Sequence, residues 1–221
     1  MSGRITVQDI CLSAELARIH AVIDRGLDIA VEHTAQVEGA ALPEALHLYV
    51  DTLLTVVEAH HHAEETLQYP LFRQRVPEVP YALLYSQHEV VNARLDAVDA
   101  ALARSDEAGA IHAALVELRT RWDQHAREEE RHLARPEFEV AFTVDELERL
   151  HHQATLHTRG FSRSPQLVLP FLLYHLDRHE RRVFGRDLSR WLRRVVVPWT
   201  WRRHWRPIRP YLPHPPKGLR G

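Results

Sequence analysis

Four stretches of about 25 residues each repeat apolar side chains at offsets of three and four, and a histidine falls on or beside every one of these stripes. The first stretch, about 8–32, aligns Leu12, Leu16, Ile19, Ile23 and Leu27. The second, about 43–69, aligns Leu46, Val50, Leu53 and Val57. The third, about 80–104, carries Leu84, Val91, Leu95, Val98 and Leu102, and the fourth, about 106–134, carries Leu115, Leu118 and Trp122. "GAALPEAL" separates the first pair, with Pro43 suited to a helix start. The second stretch is expected to stop near Pro70, where "RVPEVP" makes the next connection, and "SDEAG" and Pro136 close the third and fourth. Long amphipathic helices with short connections predict an all-α, antiparallel four-helix bundle.

The bundle accounts for residues 1–140. Residues 141–206 read as a helical extension that packs on or caps it. "TVDE" has the form of a capping box and starts a helix to about His157. After the break "RGFSRSP", helical pieces are expected at 166–176, 178–188 and 189–206, the last bent at Pro198. Residues 207–221, within "RPIRPYLPHPPKGLRG", are proline-rich and are expected to be extended or disordered. No apolar run approaches the roughly 20 residues of a membrane span. The opening "MSGRITVQDICLSAEL" lacks the apolar core of a signal peptide, so a cytoplasmic location is expected. A single cysteine, Cys11, leaves no internal disulfide and no thiolate-rich metal site.

The interior of the predicted bundle carries the chemistry. His20 falls between Leu16 and Ile23, and His88 between Leu84 and Val91. His125 lies seven residues after Leu118, and Glu129 seven after Trp122. In "EAHHHAEETLQYP" two His-xxx-Glu pairs overlap. At 100° per residue with Val57 at zero, His60 and Glu64 lie at about −60° and −20°, beside an apolar stripe spanning about −40° to +20°. His61 and Glu65 fall at about +40° and +80°, which makes them the alternative register. Burying one such group costs several kcal/mol unless it is paired. Six of them converging from four helices, His20, His60, Glu64, His88, His125 and Glu129, point to a shared cation. Imidazole and carboxylate donors without thiolate suit iron or manganese, with zinc possible.

"ARIHAVI", "HHHAEETLQYP", "YSQHEVV" and "HAREEE" together resemble the hemerythrin-like family, with its histidine–histidine–glutamate cation-binding motif, over about residues 8–135. That resemblance implies a non-haem, oxo- or hydroxo-bridged di-iron centre. The four histidines would then be terminal ligands, and Glu64 and Glu129 bridges. Asn92 stands where oxygen-carrying members have a further histidine, which leaves more positions for water, dioxygen or substrate. Tyr69 is read first as a core aromatic and second as a residue near the metal.

The functional expectation is an oxidoreductase activating dioxygen or hydrogen peroxide to oxidise a small molecule, with helices at 144–206 walling the substrate site. The alternative is a module that binds or senses oxygen, nitric oxide or iron without turnover, and a third reading is iron storage or a structural metal. His47, His62, His112 and His132 read as surface residues. His151, His152, His157, His175 and His179 are candidates for a second metal site that lacks an identified partner. Residues 181–221 hold twelve basic residues and one acidic residue among four tryptophans. This segment suits packing on the acidic bundle or peripheral contact with a membrane; the acidity of the remainder opposes nucleic acid.

Overall fold

The computed structural model describes residues 11–38, 41–104, 107–161, 164–186 and 188–216. The expected first-helix start at 8–10, parts of the breaks "SDEAG" and "RGFSRSP", Asp187 and the final residues 217–221 lie outside those ranges. All regular structure among the described residues is helical. Helix α1 spans Leu12–Ala35, α2 Glu44–Ala63, α3 Tyr69–Arg75, α4 Tyr81–Ala103 and α5 Ala108–Leu133. Neighbouring pairs α1/α2, α2/α4, α4/α5 and α5/α1 close a four-membered ring, the antiparallel bundle that the periodicity predicted. None of these helices is long and apolar enough to cross a membrane.

The second stretch departs from expectation in a way that matters for the site. It does not stop at Pro70. A π-helical turn, Glu64–Gln68, joins α2 to α3, and helix continues to Arg75. Pro70 sits in the first turn of α3, where a missing N–H is tolerated. The Tyr69 N–H donates to the Glu64 carbonyl five residues back, which widens the turn by one residue.

Two apolar clusters fill the bundle. One gathers Ile23, Leu27, Leu53, Val57, Val98, Leu115 and Leu118. The other gathers Leu16, Tyr69, Phe72, Leu84 and Leu133. The buried ionisable residues lie between the two, so hydrocarbon closes the centre of the bundle along its axis in both directions. The short helix α6, Pro136–Ala141, brings Phe138 to 5.4 Å from the Phe72 ring and seals the second cluster.

The extension lies against α1 and α2. Helix α7 spans Val144–Phe161, α8 Pro165–His175 and α9 Arg178–Phe184. α2 and α8 both crowd Gly26, where a Cβ would stand 2.7 Å from Leu53 Cδ1 and 3.2 Å from Phe171 Cζ. Asp177 and Glu180 form a full capping box at the start of α9. The segment around Pro198 is a π-helix, Leu192–Thr200, in place of the expected bent α-helix. A wider turn accommodates the proline ring that an α-helical carbonyl would meet. α10, Arg202–Trp205, follows. Within the proline-rich tail, expected to be extended or disordered, Arg209–Tyr211 form a short helical turn and the chain is held to the extension at His214. Ile208 and Leu212 are buried, and the His214 N–H donates to the Tyr174 carbonyl at 3.0 Å.

Candidate metal centre

Seven side chains from four helices and the π turn meet between the two apolar clusters, in two groups. His20 from α1, His60 from α2, Glu64 from the π turn and Glu129 from α5 form the first. His61, His88 and His125 form the second. Within each group one donor atom per residue lies within 4.8 Å of the others.

The two carboxylates stand between the groups. Glu64 places Oε1 3.3 Å from His60 Nε2 and Oε2 3.5 Å from His88 Nε2. Glu129 Oε2 is 3.1 Å from His20 Nε2 and 3.8 Å from His125 Nε2. Each glutamate thus faces a histidine of either group, as a bridging carboxylate does.

All six residues favoured from the sequence come together here. The two registers, however, are not alternatives. His60 and Glu64 point inward, and so does His61, which is 2% exposed and stacks on His88 at a ring separation of 4.0 Å. Glu65 belongs to neither donor group, yet its Oε1 is 2.8 Å from His88 Nδ1. Consecutive histidines differ by only 100° on a helix, and the two donor groups sit on either side of the stripe, so each takes one. Asn92 is not a gap in the site either. Its Oδ1 lies 2.8 Å from His61 Nδ1, and Glu130 holds His20 Nδ1 at the same distance. These contacts fix ring orientation and turn Nε2 inward, the usual service of outer partners to metal-binding histidines. Nothing in helical phase marks Asn92 or Glu130 for this role, so the sequence reading missed both.

Tyr69 is part of the site as well. Its hydroxyl donates to Glu129 Oε1 at 2.5 Å and lies 3.2 Å from His88 Nε2. The π turn explains this placement: by adding a residue to the turn it returns Tyr69 to the side that carries Glu64. Trp122 closes the centre from the first cluster, with its indole N–H bonded to Asp24 and its ring beside His20 and His61.

Electrostatics describe donors arranged for a cation. Burial, with the neighbouring imidazoles, pushes His61 down to about 3 and His88 down to about 2. Burial takes His125 down to about 4 against the attraction of Glu129, and it holds His60 well below its usual range. These imidazoles are therefore neutral at neutral pH, with lone pairs available. His20 is the exception. Burial opposes its charge, but Glu129 and Glu130 outweigh that and raise it to about 9. The carboxylates split in the same way: burial and the charge of Glu129 drive Glu64 well above the usual range, while His20 holds Glu129 well below it despite burial.

The fit to a metal pair rests on atoms without partners. His60 Nε2, His61 Nε2, His125 Nε2 and both Glu64 oxygens are buried without a hydrogen bond, and Glu129 Oε2 has His20 Nε2 at 3.1 Å. Proteins seldom leave one such atom unsatisfied, and here five belong to the two donor groups. A bound cation would satisfy them together.

The remaining histidines do not join. His62 is exposed, while His112 meets Thr34 and His132 meets Glu128. No second metal cluster forms from the extension among the described residues. His175 is buried with both nitrogens used, by the Tyr49 hydroxyl and the Phe171 carbonyl. α8 ends at His175 and α9 begins at Arg178, so His179 does not lie one helical turn beyond it.

A family model described as Hemerythrin HHE cation binding domain matches residues 11–135. Neither a curated protein nor a solved structure matches the chain.

Proposed function

The chain belongs to the hemerythrin HHE cation-binding family, and from that premise we propose that it is a non-haem di-iron oxidoreductase that activates dioxygen or peroxide to oxidise a small molecule. His20, His60, Glu64 and Glu129 would hold one iron. His61, His88 and His125 would hold the other, with the glutamates shared. The observation that carries this is the set of buried donor atoms without partners, divided into two groups with carboxylates between them. Five imidazoles and two carboxylates suit iron or manganese ahead of zinc.

The metal pair supplies the redox chemistry, and the chain supplies the conditions for it. Glu130, Asn92 and Glu65 orient His20, His61 and His88. Leu16, Leu84, Val57 and Trp122 keep bulk water from the centre. Tyr69 holds its proton firmly, because burial and the nearby Glu129 and Glu64 raise its pKa well above the usual range. Its hydroxyl is therefore a hydrogen-bond donor fixed at Glu129 Oε1. A cavity that reaches His60 and Glu64 favours turnover of a substrate over storage of the metal.

Metal analysis and absorption spectroscopy of iron-loaded protein test the proposal. Two irons per chain and catalytic consumption of oxygen or peroxide with a reductant are expected. An oxygen-dependent spectrum that persists and reverses on degassing would instead make the chain a binding or sensing module.

We also propose peripheral contact with an anionic bilayer. Trp191, Val195 and Trp199, spaced by four residues, are 67%, 41% and 62% exposed. Arg190, Arg194 and Arg203 are exposed around them, an arrangement suited to the headgroup layer.

A further inference from the structure

Between the bundle and the extension lies a half-enclosed cavity of about 430 Å³, with walls from α1, α2, α7, α8, α9 and the C-terminal π-helix. This volume falls in the range of small-molecule sites. It is far more than dioxygen or peroxide needs: at about 30 Å³ for a water-sized group it holds on the order of 14 such groups.

The walls are aliphatic: Leu16, Ile19, Val56, Leu150, Leu169 and Leu172 are representative. His60 and Glu64 stand among them, so the cavity touches the first donor group directly. No arginine or lysine is among the described lining residues. The other acidic side chain at the lining is Glu15, and its charge is engaged. Glu15 lies 3.3 Å from His151, 2.6 Å from Arg186 and 3.3 Å from Arg18. A carboxylate or phosphate entering the cavity would lose its hydration and meet no cation along the wall. An uncharged hydrocarbon chain loses nothing and gains burial.

We propose that this cavity binds an uncharged, hydrocarbon-rich molecule of about 10–14 non-hydrogen atoms, of the class of a medium-chain alcohol or aldehyde, with one end against His60 and Glu64. The inference names the substrate class of the proposed oxidoreductase and rests on that proposal only for the chemistry. The binding itself follows from the shape and lining of the cavity.

Isothermal titration of the full chain with n-alkanols from hexanol to hexadecanol tests it, in iron-loaded and chelator-treated protein. Binding at one molecule per chain is expected, tightening about fourfold per methylene, the gain for burying one such group, and levelling near decanol or dodecanol. In chelator-treated protein decanoate should bind at least roughly tenfold more weakly than decanol, since its charge must be desolvated without a partner. Ala154→Trp, which fills the cavity from α7, should abolish decanol binding while helicity by circular dichroism is kept. Leu169→Ala should move the levelling point to longer chains, and it guards against misfolding of the tryptophan variant. Three results would each overturn the proposal: no saturable alcohol binding, decanoate tighter than decanol in chelator-treated protein, or unchanged decanol binding in a folded Ala154→Trp. Iron content is read separately on the same samples. Decanol binding by a chain that takes up no iron would sink the di-iron proposal and leave this one standing, and two irons without alcohol binding would do the reverse.

Discussion

Replacing Glu64 by leucine should move stability in opposite directions with and without metal. Glu64 is fully buried, and neither oxygen has a hydrogen-bond partner. Without a cation, burial and the charge of Glu129 keep its carboxyl protonated, since its pKa lies well above the usual range. The unfolded chain ionises near the ordinary value of 4.5, so above that pH folding must carry the cost of keeping the proton. The protonated oxygen can donate to Glu129, so one buried oxygen is left unsatisfied, at a cost of about 1–3 kcal/mol. Leucine fills a similar volume without a polar atom, so metal-free Glu64→Leu should be more stable than the metal-free parent by an amount within that range. Each 1 kcal/mol corresponds to about 2–4 °C in melting temperature for a chain of this size. With iron the order should invert, because the parent gains binding free energy that the variant forgoes. Urea denaturation of chelated and iron-loaded samples, with iron content measured on each, gives all four stabilities. A metal-free variant no more stable than its parent would show that the remaining Glu64 oxygen finds a partner in solution and that the burial argument is wrong.

His61→Ala should lower iron from two per chain toward one, whereas Glu65→Ala should keep both irons and weaken their affinity by about 10–100-fold through loss of its hold on His88; equal iron loss in the two variants would refute the assignment of His61 to the second donor group. Burial opposes the charge of Glu15, but His151, Arg186 and Arg18 outweigh it and hold the carboxyl below its ordinary value of 4.5. Its contribution is therefore fully present above pH 4.5 and fades as pH falls through the lowered folded value. Glu15→Gln should cost about 1–3 kcal/mol at about pH 7 and less at about pH 3, and urea curves showing the same loss at both would contradict this. Trp191→Ala with Trp199→Ala should abolish cosedimentation with anionic vesicles and leave the melting temperature within about 2 °C of the parent, because both rings are exposed. Vesicle binding unchanged in that double variant would exclude this face as the contact.

The bundle was legible because apolar residues repeating at three and four over about 20 residues or more fit no other regular structure. Ile23, Leu53, Leu84 and Leu118, each on a predicted stripe, are all fully buried. Local chemistry misleads where tertiary packing decides. Pro70 signals a stop under α-helical rules, yet the π turn before it shifts the bonding pattern so that its missing N–H falls in a first turn. The tail reads as disordered from its prolines. Ile208 and Leu212, four residues apart, find the apolar surface of the extension, which no local window of sequence can reveal.

At the site, helical phase locates every residue of the sequence-derived set but undercounts the donors that a single helix can supply. With one inward direction assigned to each helix, His60 and His61 become competitors. Two donor groups give two inward directions, with Glu64 and Glu129 placed between them. α2 lies against both groups, and adjacent residues 100° apart serve one each. The same logic accounts for Tyr69, since a uniform α-helical period continued from Glu64 carries residue 69 away from the centre, and the inserted residue of the π turn brings it back. A run of histidines followed by a carboxylate four residues on, and then by a Tyr-Pro pair, therefore supplies side chains to both donor groups from one helix, provided the helix changes its pitch between the carboxylate and the tyrosine. The Glu64 carbonyl accepting from the Tyr69 N–H is the bond that makes this change.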